Sequence, residues 1–202
     1  MGAIAVAIVL QLVLPDRLIL HPRWLLPGVE LALLIVLVAA NPVRLVRTHS
    51  ALRIGSLGLV AVMTVANAGS AALLIERLLT GRAGDSAGAL IGSGAAIYAT
   101  NIIAFALWYW EFDRGGPFER ACGTRQHVDF LFPQMTTPEV APVDWEPAFL
   151  DYLYVSYTNA TAFSPTDTMP LSRWAKTLML VQSAVALLTV ALVIARAVNI
   201  LR

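Results

Sequence analysis

The sequence predicts an all-α, polytopic membrane protein with four to five transmembrane helices and one re-entrant helix. Three observations carry this. Charged residues make up 13% of the 202-residue chain, about half the ~25% of a soluble domain. Mean hydropathy is +0.71. Several apolar runs approach the roughly 20 residues that a helix needs to cross a bilayer. A short polar stretch near the end, between two such runs, supplies the re-entrant helix.

The elements follow in order. Gly2 to Leu14 is apolar, but as a helix it spans only about 20 Å, short for a bilayer core of about 30 Å. Leu14-Pro15-Asp16-Arg17 ends it, and a connector with Pro22 and an interfacial Trp24 follows. It lacks the basic region and cleavage site of a secretory signal, so it reads as a first membrane segment, tilted or in thinned lipid. The second segment is Leu25–Ala40, with Pro27 in the first turn, where a missing N–H costs little. Asn41-Pro42 closes it. Arg44, Arg47, His49 and Arg53 fill the next loop and read as topology signals, with anionic lipid heads as the other reading. The third segment, Ile54–Leu79, has a face of small residues, and so does the fourth, Ala87–Trp110, with Gly88, Gly92, Ala96 and Thr100 at i,i+4 spacing. Such ridges let helices approach closely. Trp108, Tyr109 and Trp110 are expected as an aromatic belt. Segments 1–80 thus form an N-terminal helical part, and 81–202 a second module.

Within that module the fourth segment, 87–110, is the outer helix. An extramembrane loop, 111–143, holds Asp113, Glu119, Asp129 and Glu139. Its prolines at 117, 133, 138 and 142 exclude long helices, and Phe130, Leu131 and Phe132 predict that it docks. A helix is expected over 145–162, with Asp144 as N-cap and Pro147 in its first turn. It carries Asp151, Ser156, Thr158, Asn159 and Thr161, too many polar groups to face lipid. The turn 163–170 contains Ser164-Pro165-Thr166-Asp167 and Pro170. The inner helix is 174–201. A turn at membrane depth needs protein or water around it, and an oligomer supplies that shelter.

The stretch from Asp151 onward resembles the pore module of the potassium-channel superfamily. That family runs outer helix, pore helix, filter and inner helix, with a filter reading Thr-x-Gly-Tyr/Phe-Gly-Asp and a proline shortly after. Asp167 and Pro170 match the Asp and Pro, and Thr161 or Ala162 falls at the filter threonine. Trp174-Ala175-Lys176 opens the inner helix, and Ala195-Arg196 closes it. The stretch from Asn159 to Ser172, NATAFSPTDTMPLS, also resembles one that ends a broad family of bacterial inner-membrane proteins. The resemblance implies a homotetramer in a bacterial plasma membrane, with monovalent cations as partners. The filter departs from the pattern. Ser164 and Thr166 stand at the glycines and Pro165 at the aromatic, with Phe163 before them. Ser and Thr resist positive φ, and proline fixes φ near −65°. The carbonyl ladder that selects potassium therefore cannot form. What remains is a weakly selective cation pore lined by Thr161, Ser164, Thr166 and an Asp167 ring, or a non-conducting scaffold or regulatory subunit that keeps the fold.

Each candidate also has a plain structural reading. Asp167 can cap the turn. Asn159 and Thr161 can pack the pore helix. Gln182 and Ser183, the candidate cavity residues of the inner helix, can bond between helices instead. Glu76 and Arg77 read as an interfacial pair, Asn67 as helix glue, and Glu30, one turn inside its helix, as interfacial. A net charge of +1 carries no nucleic-acid footprint. Cys122, the only cysteine, leaves no internal disulfide. His21, His49 and His127 lack ligand spacing, so no metal is expected. No phosphate loop or nucleophile motif occurs, so no cofactor, catalytic residue or enzyme activity is assigned. A transporter is disfavoured because no inverted repeat is visible. Pore-loop order puts Arg196 inside and 111–143 outside. It also puts the Arg44–Arg53 loop outside, against the positive-inside rule.

Overall fold

The protein, seen in a computed structural model, is described over residues 2–19, 22, 24–40, 50–82, 86–123, 127–142, 145–162 and 167–200. It is helical almost throughout. The helices are α1 (Gly2–Val13), α2 (Leu25–Ala40), α3 (Ser50–Leu79), α4 (Ala87–Phe112), α5 (Pro117–Ala121), α6 (Pro133–Thr136), α7 (Phe149–Ala162) and α8 (Arg173–Ile200). Among the described residues, three stretches are long and apolar enough to cross a membrane: Arg53–Leu79, Ala87–Gly115 and Arg173–Ile200.

The chain divides into two compact units. The first holds Met1–Ala104 with Val185–Arg202. Its core joins Leu14, Leu18 and Ile19 to Ala71, Leu74, Leu90, Ile97, Val193 and Ala197. Pro15 ends α1, and a 3-10 turn at Asp16–Leu18 returns the chain to α3, where Arg77 Nε donates to the Arg17 carbonyl at 3.0 Å. Glu76 pairs with Arg82 at 3.7 Å rather than with Arg77.

Burial in this unit refines two expectations. Glu30 is fully buried within the protein, because its face of α2 turns toward the neighbouring helices. Of the ridge expected on α4, Ala96 and Thr100 are buried, whereas Gly88 and Gly92 are exposed, and a methyl added to either glycine would touch nothing within 4 Å. The close approach falls at Gly94, where an added Cβ would lie 2.9 Å from Val193 Cγ2. Gly94 is half a turn from Gly92, on the side that meets α8.

The second unit is Phe105–Ala184. Proline opens each of its short helices, α5 at Pro117 and α6 at Pro133, where the lost N–H has no helical partner. A two-residue antiparallel pair, which the sequence did not reveal, joins β1 (Phe130–Leu131) to β2 (Met169–Pro170). It ties the extramembrane loop to the segment just before α8. Phe130 and Phe132 are buried, as the loop's hydrophobic content predicts.

Helix α7 begins at Phe149, four residues later than expected, and Pro147 lies outside it. Its first turn is closed by Asp151, whose Oδ2 accepts from the Ala148 N–H at 2.7 Å. This is one half of a capping box. The expected belt also separates. Successive helical residues point about 100° apart. Tyr109 is fully buried, while Trp108 and Trp110 are half-buried.

Candidate functional site

The second unit holds two buried polar clusters. The first lies where α4, α7 and α8 meet and centres on Gln182, which has no exposure. Gln182 Oε1 accepts from Tyr109 Oη at 2.6 Å and from Asn159 Nδ2 at 2.9 Å. Its Nε2 donates to the Ser156 carbonyl and hydroxyl at 2.9 and 2.7 Å. Asn159 Nδ2 also donates to the Met179 carbonyl at 2.9 Å, and Ser183 Oγ donates to the Asn159 carbonyl at 3.2 Å. The polar face of α7 is therefore turned onto α8 and satisfied there, as buried amides require.

The opposite face of α7 is exposed. Leu150, Tyr154 and Tyr157 lie on it, at 72%, 51% and 53% exposure. Thr161 is exposed too, with its hydroxyl donating to the Tyr157 carbonyl at 2.7 Å. Asp167, on the far side of the turn, is exposed. Phe163, Ser164, Pro165 and Thr166 lie outside the described residues, as do Asp144, His21, Arg44, Arg47 and His49. Ala162 closes α7.

The second cluster is one that sequence reasoning missed. After α4 the backbone turns through three successive positive φ values, at Arg114 (50°), Gly115 (84°) and Gly116 (103°). Arginine in this region costs about 1–2 kcal/mol, so surrounding contacts must hold it. They do. The Arg114 N–H donates to Asp129 Oδ2 at 2.9 Å. Asp113, fully buried, accepts at Oδ1 from the Asp129 and Phe130 N–H groups at 3.1 and 3.3 Å. Its Oδ2 accepts from Tyr152 Oη at 2.5 Å. Asp129 Oδ1 accepts from Trp174 Nε1 at 2.8 Å.

Arg120 completes the cluster. Its Nη1 donates to the Trp110 and Asp113 carbonyls at 2.7 and 2.8 Å. Its guanidinium lies 4.5 Å from the Trp110 ring centre and 5.2 Å from that of Tyr152, within cation–π range. Burial lowers the proton affinity of Arg120, while Tyr152 and Asp113 oppose that shift. It stays charged, as guanidinium does in proteins. Burial first, and the Asp113 carboxylate second, hold the Tyr152 hydroxyl in its neutral form by raising its pKa. Around the cluster Phe105, Tyr109, Phe130, Phe132, Tyr152 and Met179 share one apolar core.

No family model, curated protein or solved structure matches this chain. The geometry alone therefore bears on function. Among the described residues no three His, Cys, Asp or Glu side chains come together in a metal-binding group, and Cys122 is exposed. The clusters are hydrogen-bonded sets around a short helix, and in the second Arg120 Nη2 is buried without a hydrogen-bond partner. They position α7 and present its far end, which is structural work in the service of whatever the turn does.

Proposed function

We propose that the chain is a multi-pass membrane protein whose 81–202 portion acts as a self-associating, pore-loop-like module that passes monovalent cations with weak selectivity. One observation supports it above others. A 14-residue polar helix is clamped by its polar face to the last apolar helix, and Thr161 and Asp167 are left exposed on either side of the turn. In this reading α7 dips partway into lipid between α4 and α8. Four copies around an axis cover its exposed face and shield the turn. Helices α1 and α2, with 12 and 16 residues, add to the three long apolar helices to give four or five spans. A bacterial plasma membrane is the setting.

Planar-bilayer recording of the purified protein tests conduction, and native mass spectrometry tests the fourfold assembly. Cation currents that fall in Asp167→Asn support the proposal. A monomer, or no current above control at any voltage, overturns the channel.

A second reading, a non-conducting scaffold or regulatory subunit, is favoured by a different observation. Gln182 and Asn159 are engaged inside the protomer, so these amides do not line a cavity. Co-purification of a stoichiometric partner, with no current, supports that reading.

A further inference from the structure

Four of the polar residues that the first unit buries lie on its first three helices: Gln11 on α1, Glu30 on α2, and Asn67 and Ser70 on α3. Gln11, Leu26, Pro27, Ala66 and Ser70 line one small cavity together with Ile19. Glu30 lies one helical turn beyond Leu26 and Pro27, on the same side of α2, and its carboxyl comes near the Gln11 side chain without the geometry of a hydrogen bond to it. Asn67 directly follows Ala66. Neither oxygen of Glu30 has a hydrogen-bond partner, and Asn67 Oδ1 and Gln11 Nε2 also have none. Three unpartnered acceptors thus stand against one donor, although buried polar groups are almost always paired.

Among the described residues of α1 and of the middle of α3, no charge offsets this. Helix α1 contains no charged residue, and α3 contains none between Ile54 and Ile75. An ionised carboxylate without a partner is not tolerated at such depth. The site therefore needs a positive partner, and oxygen-rich surroundings suit a hard ion or a proton.

We propose that Glu30 is the centre of a buried site for a small monovalent cation, which binds in exchange for a proton, with Asn67 Oδ1, the Ser70 hydroxyl and Gln11 as further contacts. In the exchange the carboxyl O–H bond breaks and the proton leaves to solvent. Cation–oxygen contacts replace it, so the charge of the site is unchanged. The site lies wholly in the first unit and does not depend on the pore-loop reading.

Dicyclohexylcarbodiimide tests it, because this reagent attacks protonated carboxyls in apolar surroundings and leaves a stable adduct that peptide mass spectrometry locates. The full-length protein in detergent is labelled in sodium chloride or in choline chloride at equal ionic strength. The adduct is expected on Glu30 in choline and suppressed by sodium in a concentration-dependent manner. Asn67→Ala, checked for a monodisperse elution profile, keeps the adduct but raises the half-protecting sodium concentration about tenfold or more. Absence of an adduct on Glu30 overturns the proposal. So does labelling that sodium, lithium and potassium all leave equal to choline.

Discussion

Asp113 and Tyr152, 39 residues apart in sequence, are joined by a 2.5 Å hydrogen bond between a carboxylate and a phenol. The bond spans from the residue just after α4 to the first turn of α7. Bonds to an ionised acceptor are shorter and stronger than neutral ones. It therefore fixes where α7 lies against the loop that follows α4.

Removing the phenol hydroxyl is the direct test. Tyr152→Phe keeps the ring against Phe130 and Phe132 but strips one donor from a buried carboxylate. The expected loss is about 1–3 kcal/mol, read as a lower melting temperature in detergent. Asp113→Ala frees the N–H groups of Asp129 and Phe130 as well, so its loss exceeds that of Tyr152→Phe. Equal melting of wild type and Tyr152→Phe would show that the bond contributes nothing.

The same hydroxyl gives an alkaline signature. Its folded-state pKa is raised by burial and by Asp113, while an unfolded tyrosine ionises near pH 10. A raised value means that the contribution is complete below about pH 10 and is lost as pH rises beyond it. Melting temperatures between pH 8 and 11 should fall with pH in the wild type. The slope should be shallower in Tyr152→Phe by the share of one proton.

How much of this was legible in the sequence depends on the range of the contact. Apolar runs and prolines marked the long helices, because both signals are local. The start of α7 was misplaced because Pro147 suits a first turn in general, while here Asp151 supplies the cap. Glu30 was read from its distance to a helix end, yet its burial depends on which face meets α1 and α3, and an all-round apolar helix does not mark that face. The Asp113 cluster was invisible for a similar reason. Its members come from five separate stretches, and each alone looks like an ordinary loop charge or ring. Gln182 and Ser183 stand out as polar residues in an apolar helix, but their partners are set by the fold.

Gln182 and Tyr109 should be energetically coupled. Tyr109→Phe removes one donor from Gln182 Oε1, and Asn159 still holds that oxygen at 2.9 Å. Gln182→Leu strips the acceptor from the Tyr109 hydroxyl and from one Asn159 N–H and leaves two buried donors unpaired, so its expected loss is about 2–6 kcal/mol, at 1–3 for each. In the double variant the phenol is gone, so the one donor that Gln182→Leu leaves unpaired is a single Asn159 N–H, while Nδ2 still donates to the Met179 carbonyl. The double variant should thus lose less than the sum of the singles by at least 0.5 kcal/mol. Strict additivity in a double-mutant cycle by thermal or denaturant unfolding would argue that the two side chains act independently.

Glycine positions on α4 give opposite expectations from one kind of change. At Gly88 and Gly92 an alanine methyl meets nothing within 4 Å. The gain in helix propensity, up to about 1 kcal/mol per site, is then unopposed, and the double variant should melt at or above the wild-type temperature. At Gly94 the same methyl would lie 2.9 Å from Val193 Cγ2 and 3.1 Å from Cγ1. Valine is stiff about χ1 and cannot swing aside within its rotamer, so either α4 or α8 must shift. Overpacking of this kind costs about 1–3 kcal/mol, which outweighs the propensity gain, so Gly94→Ala should destabilise. Adding Val193→Ala removes both clashing methyls and should recover most of the loss. If Gly94→Ala instead melts with the wild type, the helices are not in contact there. If Gly88→Ala/Gly92→Ala weakens self-association without lowering the melting temperature of the protomer, that exposed ridge packs against another copy.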